Sequence, residues 1–141
     1  MKKAIIVMGS ILIASVLVIY LYITISCSNL INRILKSSLN NYGEFDMRYE
    51  GIISEQHYSW LNFREKPIAR GYLESEVEEQ YSSSIHIVVH DLKNVTAVIK
   101  YRYNLSDKNG KTITSTGGGR MSIKMKFIDG RWIIISVHDQ P

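Results

Sequence analysis

Cysteine is nearly missing from this chain. Cys27 is the only one, so no disulfide within the chain holds the fold. Charge is missing from residues 4–25, Ala-Ile-Ile-Val-Met-Gly-Ser-Ile-Leu-Ile-Ala-Ser-Val-Leu-Val-Ile-Tyr-Leu-Tyr-Ile-Thr-Ile. About 20 such residues cross a bilayer as a helix, the shape that satisfies its own backbone polar groups in lipid. A strong basic excess is also lacking. Of 17 basic and 13 acidic residues, Lys2 and Lys3 precede the apolar run, and what lies beyond it is almost neutral. That excludes the footprint of a nucleic-acid binder. Metal-ligand spacing is absent too. His86 and His90 share a strand face but would lie roughly 13 Å apart at strand rise, too far for one zinc ion with bonds of about 2 Å. His138 is left as a neighbour for one of them across the sheet, and His57 stands alone. His138-Asp139 beside an unplaced serine is no triad, because a triad is defined by geometry. Gly117-Gly118-Gly119 lacks the Lys-Ser/Thr and the helix of a phosphate loop. No catalytic residue, metal or cofactor is expected.

The apolar run supplies the first positive reading. Lys2 and Lys3 before it favour an N-terminus in the cytoplasm, although Arg33 and Lys36 beyond it weaken the asymmetry. Tyr20 and Tyr22 sit where aromatic rings favour the interface. Two endings compete. A cleaved secretory signal has a shorter apolar stretch of about 7–15 residues, which favours an uncleaved anchor. Yet Thr24-Ile25-Ser26-Cys27 resembles a bacterial lipobox, with Cys27 as the acylated residue. Against that, a lone cysteine at a helix end also behaves as a small buried hydrophobe. Residues 1–27 are read as membrane anchor or lipoprotein signal, and residues 28–141 as one domain outside the cytoplasmic membrane.

Within that domain, Leu30, Ile31, Ile34, Leu35 and Leu39 recur at helical spacing over residues 28–42, with Gly43 as a stop. Ile53, His57, Trp60 and Leu61 suggest a short helix before Pro67. Ser75-Glu76-Val77-Glu78 matches a capping box and predicts a helix from Glu76 to Tyr81. From residue 84 the period becomes two. Ile85, Ile87 and Val89, then Ile99, Tyr101, Tyr103 and Leu105, then Met121, Ile123, Met125 and Phe127 each alternate with more polar positions. Residues 106–110 make one hairpin loop, and Asp129-Gly130 makes a two-residue hairpin. The three glycines predict a bulge or bend inside a long strand. The last strand, residues 132–137, is apolar on both faces and should be covered on both. The class is α+β: a transmembrane helix, then helices packed on an antiparallel sheet.

The strand Ile87-Val88-Val89-His90-Asp91-Leu92, the segment Asn94-Val95-Thr96-Ala97-Val98-Ile99-Lys100-Tyr101, the turn Asn109-Gly110-Lys111 and the hairpin Asp129-Gly130-Arg131-Trp132-Ile133-Ile134 come in this order. In that order they resemble the nuclear transport factor 2-like superfamily, in its small membrane-anchored or secreted bacterial members. The resemblance implies a curved, cone-like sheet wrapped on helices, a pocket in the cone, and pairing through the outer sheet face. It also implies a part in an envelope or conjugation-type complex. No catalytic motif of the superfamily maps onto this chain.

Three groups of side chains are candidates for function. Trp60, Tyr101, Tyr103, Met125 and Trp132 would line a pocket or fill a core. Lys100, Arg102, Lys124 and Lys126 would form a basic docking face. Ile133, Ile135 and Val137 would form a dimer face. The leading reading is a non-enzymatic, membrane-tethered binding or assembly domain, single-pass with its C-terminal part outside, whose partners are the membrane and either another protein or a second copy. The alternatives are a small-ligand-binding lipoprotein and an enzyme using the cone.

Overall fold

The computed structural model describes the backbone of residues 2–140 and the side chains of residues 8–139. Helix α1 spans Lys2–Asn40 without a break. The apolar run and the stripe at 30–39 are therefore one rod. It carries no proline or interior charge pair to kink it. Every described side chain from Met8 to Tyr22 is exposed. From Ile23 onward one face turns inward: Ile23, Cys27, Ile31, Ile34, Leu35 and Leu39 are buried. Their spacing of three and four residues places them on one stripe. Packing on the domain thus begins upstream of residue 28. Gly43, at φ +83°, ends the helix by donating to the Ser38 carbonyl at 2.8 Å.

Helix α2, Glu55–Trp60, is capped by Ser54, whose hydroxyl accepts from the His57 amide at 3.2 Å. Four strands follow: β1 Val77–Val89, β2 Asn94–Asp107, β3 Thr112–Ile128 and β4 Arg131–Gln140. They pair antiparallel in sequence order. The class is α+β, a long apolar N-terminal helix followed by helices and a curled antiparallel sheet. Ile87, Val95, Ala97, Ile99, Met121, Ile123, Met125 and Ile134 face the helices and form the core with the α1 stripe.

One expectation is corrected here. Residues 76–81 are not a helix. A single 3-10 turn, Glu74–Glu76, leads directly into β1. The Glu76 carboxylate accepts from the Leu73 amide at 3.0 Å, so it caps a turn rather than a helix. Pairing of Val77 with Asp107 and of Tyr81 with Tyr103 decides the state of this segment. Tertiary pairing overrides a local capping pattern worth about 1 kcal/mol.

The glycine triplet lies inside β3 as a bulge. The register steps from Tyr101↔Gly119 to Tyr103↔Thr116, so two residues of β3 stand opposite Arg102. The close approach explains one of the three glycines: a Cβ on Gly119 would lie 2.1 Å from Cζ of Tyr101. The Tyr101 ring rests on that strand's backbone. At the other hairpin Asp129 and Gly130 have φ of +50° and +81°, the geometry of a two-residue turn that follows the twist of the strands.

Candidate functional site

The inner face of the sheet is packed by its own side chains. Tyr101, Tyr103, Met125 and Trp132 are all buried. Phe63 stacks on Tyr101 with ring centres 4.5 Å apart. The Tyr101 hydroxyl donates to Asp139 at 3.2 Å, and the Tyr103 hydroxyl to the Glu65 carbonyl at 3.1 Å. Burial pushes the Tyr103 phenol up to about 12, so it remains a donor. Burial, then the Asp139 charge, also raises the Tyr101 phenol. Trp60 does not join this set. It is 47% exposed and tilts against His57 at 5.4 Å, because α2 points that position away from the sheet.

Sequence reasoning missed the clasp that closes this half of the domain. Arg64 pairs with Glu79 through both Nε and Nη2, and its Nε lies 2.7 Å from the carboxylate. It also donates to the Leu39 carbonyl and the Tyr42 hydroxyl, and lies over the Tyr42 and Tyr81 rings at 4.8 and 5.0 Å. Burial alone would lower the guanidinium; Glu79 outweighs it, and the net shift is upward. This cluster ties the end of α1 to the start of β1. No local spacing in residues 39, 42, 64 and 79 announces it, since only the fold brings them together.

The outer face carries two concavities. Ser82 and Ser84 of β1, Lys100 and Arg102 of β2 and Arg120 of β3 share that face by alternation and register. They border an open trough of about 800 Å³, with Gly118 and Gly119 at its floor. A second concavity of about 580 Å³ adjoins it beyond Arg102, past Gln80, Asn104 and Gly117. The glycine bulge bends β3 here, and a Cβ at Gly117 or Gly118 would meet nothing within 4 Å, so the floor stays open. Lys124 and Lys126 continue the same face of β3. Lys100, Arg102, Arg120, Lys124 and Lys126 are exposed. None forms an ion pair among the described residues. Arg120 was not among the expected cations. Its parity with Ser122, Lys124 and Lys126 was the available signal, but the alternating pattern is clear only from Met121 onward.

The remaining candidates separate. Ile133 and Ile135 look outward, Ile135 being 40% exposed, but Val137 is buried. The register of β4 shifts between Lys124↔Ser136 and Met125↔Ile134. One extra residue there turns Val137 to the core, so the three do not form one face. His86 and His138 stand on β1 and β4, with two strands between them, so they are not neighbours. The His90 ring lies 2.8 Å from the Thr96 hydroxyl. Among the described residues no group of acidic, histidine or cysteine side chains could hold a metal. Cys27 lies in the core with no exposure.

No family model matches the chain, and no curated protein matches it. Among solved structures it is similar to the association domain of calcium/calmodulin-dependent kinase II from C. elegans, at 18% identity and TM-score 0.31, over 47% of this chain and 49% of that one. It is also similar to a protein from Xanthomonas campestris described as a kinase II association domain, at 12% identity and TM-score 0.41, over 80% of this chain and 83% of that one. The chain thus spans about half the length of the first. These neighbours correct the resemblance read from the ordered segments of residues 87–134: both are described as kinase II association domains and neither carries the nuclear transport factor 2 name. Likeness at this level says nothing of what this chain binds.

Proposed function

We propose that this chain is a membrane-tethered docking domain that takes an acidic segment of a partner protein on its outer sheet face. The observation that carries the reading is the trough bordered by Lys100, Arg102 and Arg120, cations with no acidic partner among the described residues. A protein partner is favoured over a free ligand because the trough opens beside β1, an edge strand with an unpaired side. An extended segment can pair with such an edge and lay alternate side chains over its neighbours. The inner face is filled by Tyr101, Tyr103, Met125 and Trp132, which speaks against an enzyme or small-ligand cup there. The α1 rod is long and apolar enough to cross a membrane. Between Ala4 and Tyr22 it measures about 28 Å at ~1.5 Å per residue, the thickness of a hydrocarbon core. Lys2 and Lys3, whose side chains lie outside those described, favour an external domain.

Exposed ion pairs are worth about 0.2–1 kcal/mol each and are screened by salt. Binding should therefore be modest and salt-sensitive. The test uses the full chain in detergent, titrated with a fluorescent poly-glutamate peptide and a poly-glutamine peptide of equal length. Preferential binding of poly-glutamate, weakened by salt and lost in Lys100→Glu/Arg102→Glu, supports the reading. Equal binding of both peptides, or an unaffected double variant, sinks it.

A further inference from the structure

Element lengths and the tie between α1 and β1 direct the ends of two hairpins toward the point where α1 leaves the domain. The C-terminal end of α1 is tied to the start of β1, since Tyr42 donates to Glu79 at 3.2 Å and Arg64 joins the Leu39 carbonyl to the same carboxylate. The buried stripe of α1 then runs back from Leu39 to Ile23, about 24 Å at ~1.5 Å per residue. From Glu79 to Val89 β1 covers about 33 Å at ~3.3 Å per residue. Only two residues of β1 lie on the other side of Glu79, so the stripe is covered by running toward Val89. Ile23 therefore approaches the end of the sheet that carries the β1–β2 turn and the β3–β4 turn. These turns are joined, because the Phe127 amide donates to the Lys93 carbonyl at 2.9 Å.

That rim is apolar where a soluble domain would be polar. Leu92 is 65% exposed, Phe127 39% and Ile128 41%. Lys93, Lys126 and Arg131 stand exposed beside them. Two acids share the rim. Asp91 is occupied by the Lys93 amide and the Asn94 side chain, and Asp129 occupies the turn. Apolar tips flanked by cations match the boundary between acyl chains and headgroups. Past Ile23 the exposed sleeve of α1 continues toward its N-terminus, with Tyr20 and Tyr22 on it. Aromatic rings of that kind settle at the interface.

We infer that Leu92, Phe127 and Ile128 form a second membrane contact, in which the two hairpin tips rest in the headgroup layer of the bilayer that α1 enters. This rests on the reading of α1 as a membrane span. The contact would fix the tilt of the domain and keep the outer face turned sideways.

The test places one environment-sensitive fluorophore at Leu92→Cys, Ile128→Cys, Asn109→Cys or Ile13→Cys of the full chain. Each is reconstituted in vesicles of phosphatidylethanolamine and phosphatidylglycerol bearing nitroxide lipids. The unsubstituted chain is the blank for Cys27. Quenching by headgroup nitroxide at 92 and 128, several times that at 109 on the opposite hairpin, is the expected result. Equal, weak quenching at 92, 128 and 109, with Ile13→Cys strongly quenched by acyl-chain nitroxide, overturns the rim contact alone. An unquenched probe at 13 overturns the membrane span, and the rim contact with it.

Discussion

Gly119 shows how one missing side chain shapes a sheet. Its φ is not in the left-handed range, so alanine there is strained only by the Tyr101 ring, 2.1 Å from the new Cβ. Gly119→Ala should destabilise the domain by about 1–3 kcal/mol, the usual cost of overpacking. Adding Tyr101→Ala should leave the double variant less destabilised than the sum of the singles, measured as urea midpoints. Additive losses would mean that the ring moves aside. Asp46 gives a pH signature. The Arg48 guanidinium and then the Ser37 hydroxyl, 2.7 Å away, hold its carboxyl well below the usual carboxylate range. A group depressed in the folded state stabilises above its unfolded value of about 3.9 and loses that contribution as pH falls below it. Asp46→Asn should therefore be less stable than the parent at pH 7, and the gap should narrow by pH 3. A gap that stays constant would show that the carboxylate charge contributes nothing.

At the scale of elements, α1 has two halves with different surroundings, one exposed and one packed in the domain. Ile31 is buried in the domain and Ile13 is 64% exposed. Ile31→Ala should cost about 2–5 kcal/mol of domain stability, while Ile13→Ala should leave it unchanged in detergent, both read by urea unfolding of the full chain. Matching losses would place Ile13 inside a folded contact. The period-two runs and the Asp129-Gly130 turn made β2 to β4 legible in the sequence, because alternation and turn chemistry are local. The continuity of α1 was half legible: the stripe at 30–39 was plain, but nothing local at Ser28 decides whether a helix restarts. The stretch 76–81 misled, since Glu76 and Glu78 satisfy a helix start while pairing with β2 makes residues from Val77 onward strand. The shift that buries Val137 was invisible for the same reason: a bulge is a property of two strands.

For the whole molecule, the anchor and lipoprotein readings of Cys27 predict different masses, and its burial in the core favours the anchor. Cleavage before Cys27 would remove Ile23 and its share of the core. Protein extracted from carbonate-washed membranes should have the mass of residues 1–141, unchanged in processing by Cys27→Ala. A mass beginning at Cys27 with acyl chains, lost in that variant, would reverse this. The site was partly legible at this scale. Lys100, Arg102, Lys124 and Lys126 could be assigned to one face by parity, whereas the concavity and Arg120's place in it depend on the bend at the glycines.

An unbroken α1 makes the domain a mast rather than a float. From the rim at Asn94 to Lys100 and Arg102, β2 rises about 20–26 Å at ~3.3 Å per residue. On the proposed membrane span and rim contact, the cations would be held at a set altitude above the bilayer. A partner in the same membrane would have to carry its acidic segment at that height, so the length of its own stalk would decide recognition before any side chain is read.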